Sequence, residues 1–318
     1  MRKYEKWMLA VDLSVDNRAF FQKVAKLADQ FTPSEIHLVY VRQELNIPKA
    51  VLKDMPNLHL PELKDSEKKM MALAEDCFHA DHKVAVHVLK GNILTELLKF
   101  TQKMGMDLVL LGRPQMFSVS IRTIKLVRKA PCIVLLVPYH LTAGEVNSIL
   151  IPVDFSKYSD MALSLVNEFE QGPIVPKTHV LHVYRDATKY LDQVFETKDE
   201  IDEVLSNRSA IDEQLTKFAE HELEEYMSKN NRPSIQTHLA SVARAQQLSE
   251  PIDHLINEVK PDLVVLGSKG KDTSAAALLG EVSESMVPSL GKHMTLILKQ
   301  KGENKGLLKS LLDLRSVL

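Results

Sequence analysis

Eleven glycines in 318 residues is a sparse supply, yet Gly267, Gly270 and Gly280 fall within one stretch of fourteen residues. That stretch reads Leu263-Val-Val-Leu266-Gly267-Ser-Lys-Gly270, then nine residues, then Gly280-Glu281-Val282-Ser283. An apolar run enters a glycine-bounded loop, and the loop leads into a helix expected to start near Gly280. Glycine lets a backbone approach an anion closely and turn its N–H groups inward. The helix start adds unpaired N–H groups and the positive end of its dipole. The loop is neither a Walker loop, since no Gly-Lys-Ser/Thr follows, nor a G-x-G-x-x-G dinucleotide fingerprint. Asp154 belongs with it. It ends another apolar run, Ile149-Leu-Ile-Pro152-Val-Asp154, where a carboxylate can accept ribose hydroxyls while the loop holds phosphates.

Positioning these groups requires a parallel sheet, and the chain supplies the pattern twice. Trp7-Met-Leu-Ala-Val-Asp12-Leu-Ser14 reappears 142 residues later as Ile149-Leu-Ile-Pro-Val-Asp154-Phe-Ser156. Asp107-Leu-Val-Leu-Leu-Gly112 answers Asp262-Leu-Val-Val-Leu-Gly267 at an offset of 155, and Ile133–Val137 answers His293–Ile297 at 160. An order that is kept while the offset grows is the mark of tandem duplication with insertions. In the first half, apolar runs at 7–13, 35–41, 83–89, 107–111 and 132–137 predict strands buried on both faces. Amphipathic stretches at 17–30, 62–80, 92–104 and 118–129 predict helices, with Phe20, Val24, Leu27 and Phe31 as one stripe. The second half predicts strands near 149–154, 178–184, 235–240, 262–267 and 293–298. The expected fold is α/β: two tandem doubly wound, Rossmann-like open sheets of five parallel strands with flanking helices. Domain 1 is expected over 1–142, domain 2 over 146–300, and an amphipathic tail helix over 301–318. The stretch Glu145-Val-Asn-Ser reads as the linker. Residues 42–61, with Pro48, Pro56 and Pro61, predict a long loop. Residues 186–229 carry acidic side chains at helical periodicity and predict a solvated helix face.

The spacing G-x2-G-x9-G together with Pro152-Val-Asp154-Phe-Ser156 resembles the universal stress protein family, in its two-copy form, over residues 5–140 and 147–299. The resemblance implies an adenine-nucleotide site in the second half. Asp154 and the second-strand residue Val183 would hold the nucleoside, with Pro152 beside the base. Gly267, Gly270, Gly280 and Ser283 would hold phosphates, flanked by Leu266, Glu281 and Val282. ATP, with Mg²⁺, is the implied cofactor, and a regulatory stress-response module the implied role. Glu281 departs from the family, which has Ser or Thr directly after the third glycine. Two unit charges about 5 Å apart at an effective dielectric near 20 repel by roughly 3 kcal/mol. Glu281 either opposes a phosphate in this way or caps its own helix; the alternative function is a scaffold or apolar-ligand protein with a blocked phosphate site. The first half keeps Asp12 and Gly112 but has Gln115 where the second glycine should stand, and Arg113-Pro114 beside it. No phosphate cradle is expected there.

Composition narrows the remaining classes. Forty Lys and Arg balance 42 Asp and Glu, so nothing drives the chain toward nucleic acid or an anionic membrane. No apolar run approaches the roughly 20 residues of a membrane span. The first residues lack the apolar core of a signal peptide, which predicts the cytoplasm. Cys77 and Cys132 are unpatterned, and Cys132 is expected to be buried in a strand. His79, Asp81, His82 and His87 are a weak metal constellation, while His179 and His182 point to opposite faces of one strand. No nucleophile–base pair faces a phosphate, so no catalytic residue and no metal ligand is assigned. The edge strand near 132–137 or 293–298 offers a pairing surface, either between the two halves or between chains as a homodimer.

Overall fold

The computed structural model describes residues 4–13, 18–43, 63–113, 121–139, 145–170, 175–188, 198–229, 234–243, 248–270, 283, 286 and 293–303. The chain divides into two compact units, Met1–Glu145 with Val287–Leu318, and Val146–Met286.

The first unit alternates β1 (Lys6–Val11), α1 (Arg18–Phe31), β2 (Glu35–Arg42), α2 (Leu63–Cys77), β3 (Val84–Lys90), α3 (Ile93–Met104), β4 (Leu108–Arg113), α4 (Ile121–Lys129) and β5 (Ile133–Pro138). Its sheet order is β3-β2-β1-β4-β5, all parallel. Every residue of β5 is buried, as a strand covered on both faces requires. The stripe on α1 turns inward, with Phe20, Val24 and Leu27 buried and the Phe31 ring beside Trp7. Asn92 caps α3 by accepting the Thr95 N–H, and Gly105 ends it with a left-handed φ of 64°.

The second unit repeats the plan with β6 (Ser148–Val153), α5 (Lys157–Glu170), β7 (Lys177–Arg185), α6 (Lys198–Ser228), β8 (Ile235–Val242), α7 (Ser249–Val259) and β9 (Leu263–Gly267). Its order is β9-β6-β7-β8, again parallel. The acidic segment therefore does form a helix, α6, of 31 residues. Strand positions agree with the periodicity to within two residues.

The strand expected near 293–298 is present as the tenth. β10 (Met294–Leu298) falls in the first unit, where it runs antiparallel to β5 with Leu296 opposite Leu135. The expected edge pairing is thus made within the chain. Lys299, just past β10, is buried and its Nζ donates to the carbonyls of Arg128 and Ala130, 3.1 Å each. Those oxygens lie at the C-terminal end of α4, where a cation meets the negative end of the dipole.

The Asp of the repeated Asp-Leu-Val segment joins strand ends in both units. Asp262 Oδ2 accepts the backbone N–H groups of Asn147 and Ser148, at 2.9 and 3.0 Å. Asp107 does the same for Glu5 and Lys6, and also meets Lys301 Nζ at 2.6 Å. Within the stretch read as the linker, Val146 is buried. The proline-rich stretch from residue 44, and the tail from residue 304, lie outside the described residues.

Candidate functional site

In a parallel sheet, ligands meet the carboxyl ends of the strands, and in the second unit this edge opens into a cavity of about 360 Å³. Pro152, Asp154, Val183, Leu266, Gly267, Gly270 and Ser283 all line it. Gly280, Glu281 and Val282 lie outside the described residues.

Each wall has a local cause. Asp154 follows the last residue of β6, and its Oδ1 accepts the Ser156 N–H at 3.1 Å and the Ser159 hydroxyl at 2.9 Å. Ser159 in turn accepts the Asp154 N–H at 3.0 Å. This turn puts Phe155 at a φ of 60°, a left-handed conformation that costs a non-glycine residue roughly 1 kcal/mol or more. Its ring is gripped in return: it stacks on His182 at 4.3 Å between centroids and lies 4.9 Å from the Tyr226 ring. His182 Nδ1 donates to the Val153 carbonyl at 3.0 Å, which fixes the imidazole against β6. The Tyr226 hydroxyl donates to Asp160 Oδ1 at 2.9 Å; burial and that carboxylate together push its titration above the ordinary tyrosine range. A Cβ placed on Gly267 would sit 2.7 Å from the Tyr158 Cβ and 3.3 Å from the Lys269 carbonyl oxygen. Only glycine ends β9 against α5 here. Ser283 is buried and its hydroxyl donates to the Gly267 carbonyl, tying the residues beyond the loop to the strand end.

Sequence reasoning missed Phe155, His182, Arg185, Glu222 and Tyr226. Phe155 was inside the motif and His182 adjoined Val183, so both were within reach of a positional argument. Arg185 and Glu222 line the cavity from β7 and α6, and neither belongs to a repeated motif that would have flagged it.

The first unit treats the equivalent edge differently. At Gly112, a Cβ would lie 2.1 Å from Tyr139 Cε1 and 2.6 Å from Cζ: the tyrosine ring occupies the space above the glycine. Phe20 abuts that ring edge-on at 5.7 Å, and burial, with Asp12 adding to it, pushes the phenol up to about 12. Arg113 is buried as well, and desolvation brings its guanidinium down to about 10.

The side chains set aside on sequence also have definite places. His82 lies 3.1 Å from Asp29, with His79 4.0 Å from the same carboxylate. His87 instead meets His37, Nε2 to Nδ1 at 2.9 Å. Cys132 is buried, which pushes its thiol up to about 12 and makes it inert. Among the described residues no helix is long and apolar enough to cross a membrane, and none form a group of three or more potential metal ligands.

Residues 3–138 and 145–290 each match the model of the universal stress protein family. The chain belongs to that family. Two copies in tandem, each with the Rossmann-like layer, make it a two-domain member. Among solved structures it is similar to a universal stress protein from Archaeoglobus fulgidus, with 16% identity, a TM-score of 0.56, and coverage of 94% of this chain and 98% of that one. A functionally unknown protein from Pseudomonas aeruginosa gives 15% identity and a TM-score of 0.58 over 98% and 97% of the two chains. A universal stress protein in complex with cAMP is 21% identical over 49% of this chain and 99% of its own, with a TM-score of 0.29. No curated protein sequence matches the chain significantly.

Proposed function

We propose that this universal stress protein binds an adenine nucleotide, ATP with Mg²⁺ in the first instance, in the second unit and acts as a nucleotide-responsive regulatory module rather than an enzyme. The observation that carries this reading is the convergence of Pro152, Asp154, Val183, Gly267, Gly270 and Ser283 on one cavity, while Tyr139 fills the corresponding place in the first unit. A cavity of about 360 Å³ is within the size range of small-ligand sites, roughly 300–1,000 Å³. The Phe155–His182 stack offers a flat apolar wall, Asp154 an acceptor, and Gly267 to Gly270 a short run of backbone beside Lys269. Binding closes the strand ends and orders contacts that a partner protein can read.

The test is calorimetric titration of ATP and Mg²⁺ into the full chain, paired with thermal melts. One site per chain is expected, with an upshift following RT ln(1 + [L]/Kd), about 2.7 kcal/mol at a hundredfold excess over Kd. Two equivalent sites would contradict the plugged first unit. No upshift at millimolar ATP would sink the nucleotide reading and favour an apolar ligand in the same cavity. Glu281→Ser is expected to tighten binding, by up to about a hundredfold if the roughly 3 kcal/mol repulsion is relieved. Unchanged affinity would leave Glu281 as a helix cap.

A further inference from the structure

The duplication has kept a histidine pair in each unit, and the two pairs have different charged neighbours. In the first unit His37 Nδ1 meets His87 Nε2 at 2.9 Å across β2 and β3. In the second, His179 Nδ1 meets His238 Nε2 at 3.0 Å across β7 and β8. The registers correspond: Val39 lies opposite His87, and Leu181 opposite His238. His37 and His179 are both buried, on inner strands, and their partners sit on β3 and β8.

The nearest charges differ: a carboxylate touches the first pair, and a lysine takes its place beside the second. Glu35 Oε2 lies 3.2 Å from His37 Nε2, and that carboxylate also meets Lys6 at 3.5 Å and Lys83 at 3.2 Å. Its place in the second unit, two residues before His179, is taken by Lys177, and Ser234 replaces Lys83. Glu258 on α7 attracts a proton on either ring of the second pair, but burial outweighs it for both; burial, then His37, also disfavours a charge on His87 in the first pair. The Phe100 ring packs on both imidazoles of the first pair.

From this geometry we infer that the two histidine pairs are proton-binding sites of unequal affinity, the first accepting an extra proton at higher pH than the second. In the first pair His37 Nε2–H donates to Glu35, so an added proton leaves every hydrogen bond satisfied. In the second pair the added charge arrives beside Lys177, and among the described residues no carboxylate is paired with either ring. An imidazolium next to a cation and out of water is disfavoured in the folded state. Acid is therefore absorbed by the first unit and resisted by the second, until protonation separates β8 from β7. β7 ends in Val183 and Arg185, which line the cavity, so acid loosens one wall of it. This last consequence alone rests on the proposed ligand, and the test below uses no nucleotide.

Side-chain ¹⁵N spectra of histidine-labelled full chain, titrated from pH 8 to pH 5, read both pairs directly, with His87→Gln and His238→Gln for assignment. The first pair is expected to take up its proton with at least tenfold higher affinity. Lys177→Glu should raise the affinity of the second pair about tenfold, and Glu35→Lys should lower that of the first. Equal titration of the pairs, or indifference to both charge reversals, overturns the inference. Hydrogen exchange of the unmodified protein gives a readout free of any variant. Between pH 7.5 and 5.5, after correction for intrinsic rates, 235–242 should lose at least tenfold more protection than 84–90. Equal or opposite losses refute it.

Discussion

Gly267→Ala tests the strand end and the cavity together. The added Cβ would stand 2.7 Å from the Tyr158 Cβ, an atom fixed to the backbone of α5, and 3.3 Å from the Lys269 carbonyl oxygen. Neither neighbour is the free end of a long side chain, so relief requires moving α5 or the loop. Overpacking of this kind costs about 1–3 kcal/mol, and the backbone obstacles place it near the upper end. For a unit of this size about 3 kcal/mol lowers the melting temperature by about 10 °C. Calorimetry of the variant should show one transition moved down by that amount. The single tryptophan, Trp7, is buried in the first unit, so its fluorescence melt provides an internal control and should stay in place. Retreat of β9 from α5 also displaces Gly270 from the cavity wall, so the ATP-induced upshift should shrink in the same sample. An unmoved calorimetric transition would refute the close approach. A shifted transition with a full ATP response would refute the link between the strand end and the ligand.

Ser283→Ala removes a buried hydroxyl that donates to the Gly267 carbonyl, and should lower urea stability of the second unit by about 1 kcal/mol. Asp262→Ala leaves the N–H groups of Asn147 and Ser148 without their acceptor; about 2 kcal/mol is expected by denaturant titration, with Asp107→Ala doing the same to the first unit. Glu35 has a further pH signature. His37, then Lys83 and Lys6, bring its carboxyl from 4.5 down to about 2, so the stability it adds is present above pH 4.5 and fades as pH falls toward 2. Glu35→Gln should flatten the acid limb of first-unit stability in that window, and an unchanged slope would count against the contact.

The strands were legible because a strand buried on both faces must be nearly all apolar, and the duplication gave each assignment a second witness. Asp154 and Gly267 were legible for the same reason, standing where such runs stop. Tyr139 was not: it is 27 residues from Gly112, and only its packing against Phe20 turns it over the glycine. Phe155 stood inside the quoted motif, but its left-handed φ was not legible, since bulky residues rarely accept a φ near 60°. The histidine pairs could have been found by offset bookkeeping, because His37 and His179 stand 142 apart and His87 and His238 stand 151 apart. Spacing within either half alone shows nothing of them. Periodicity identified β10 as a strand without saying that it would run antiparallel to β5.

The antiparallel pairing of β10 with β5 also sets a clock on biosynthesis. β5 ends at Pro138 and β10 at Leu298, so roughly 160 residues emerge from the ribosome between the two partners. At about 5–20 residues per second the nascent first unit waits on the order of 10–30 s for its sixth strand. During that interval the bonding edge of β5 is a vacant template, in an apolar strand of Ile-Val-Leu-Leu-Val. A chain halted or trimmed near residue 290 would hold the whole second repeat of the family pattern and still leave the first unit unfinished, and it should be recovered in aggregates rather than as a smaller soluble protein.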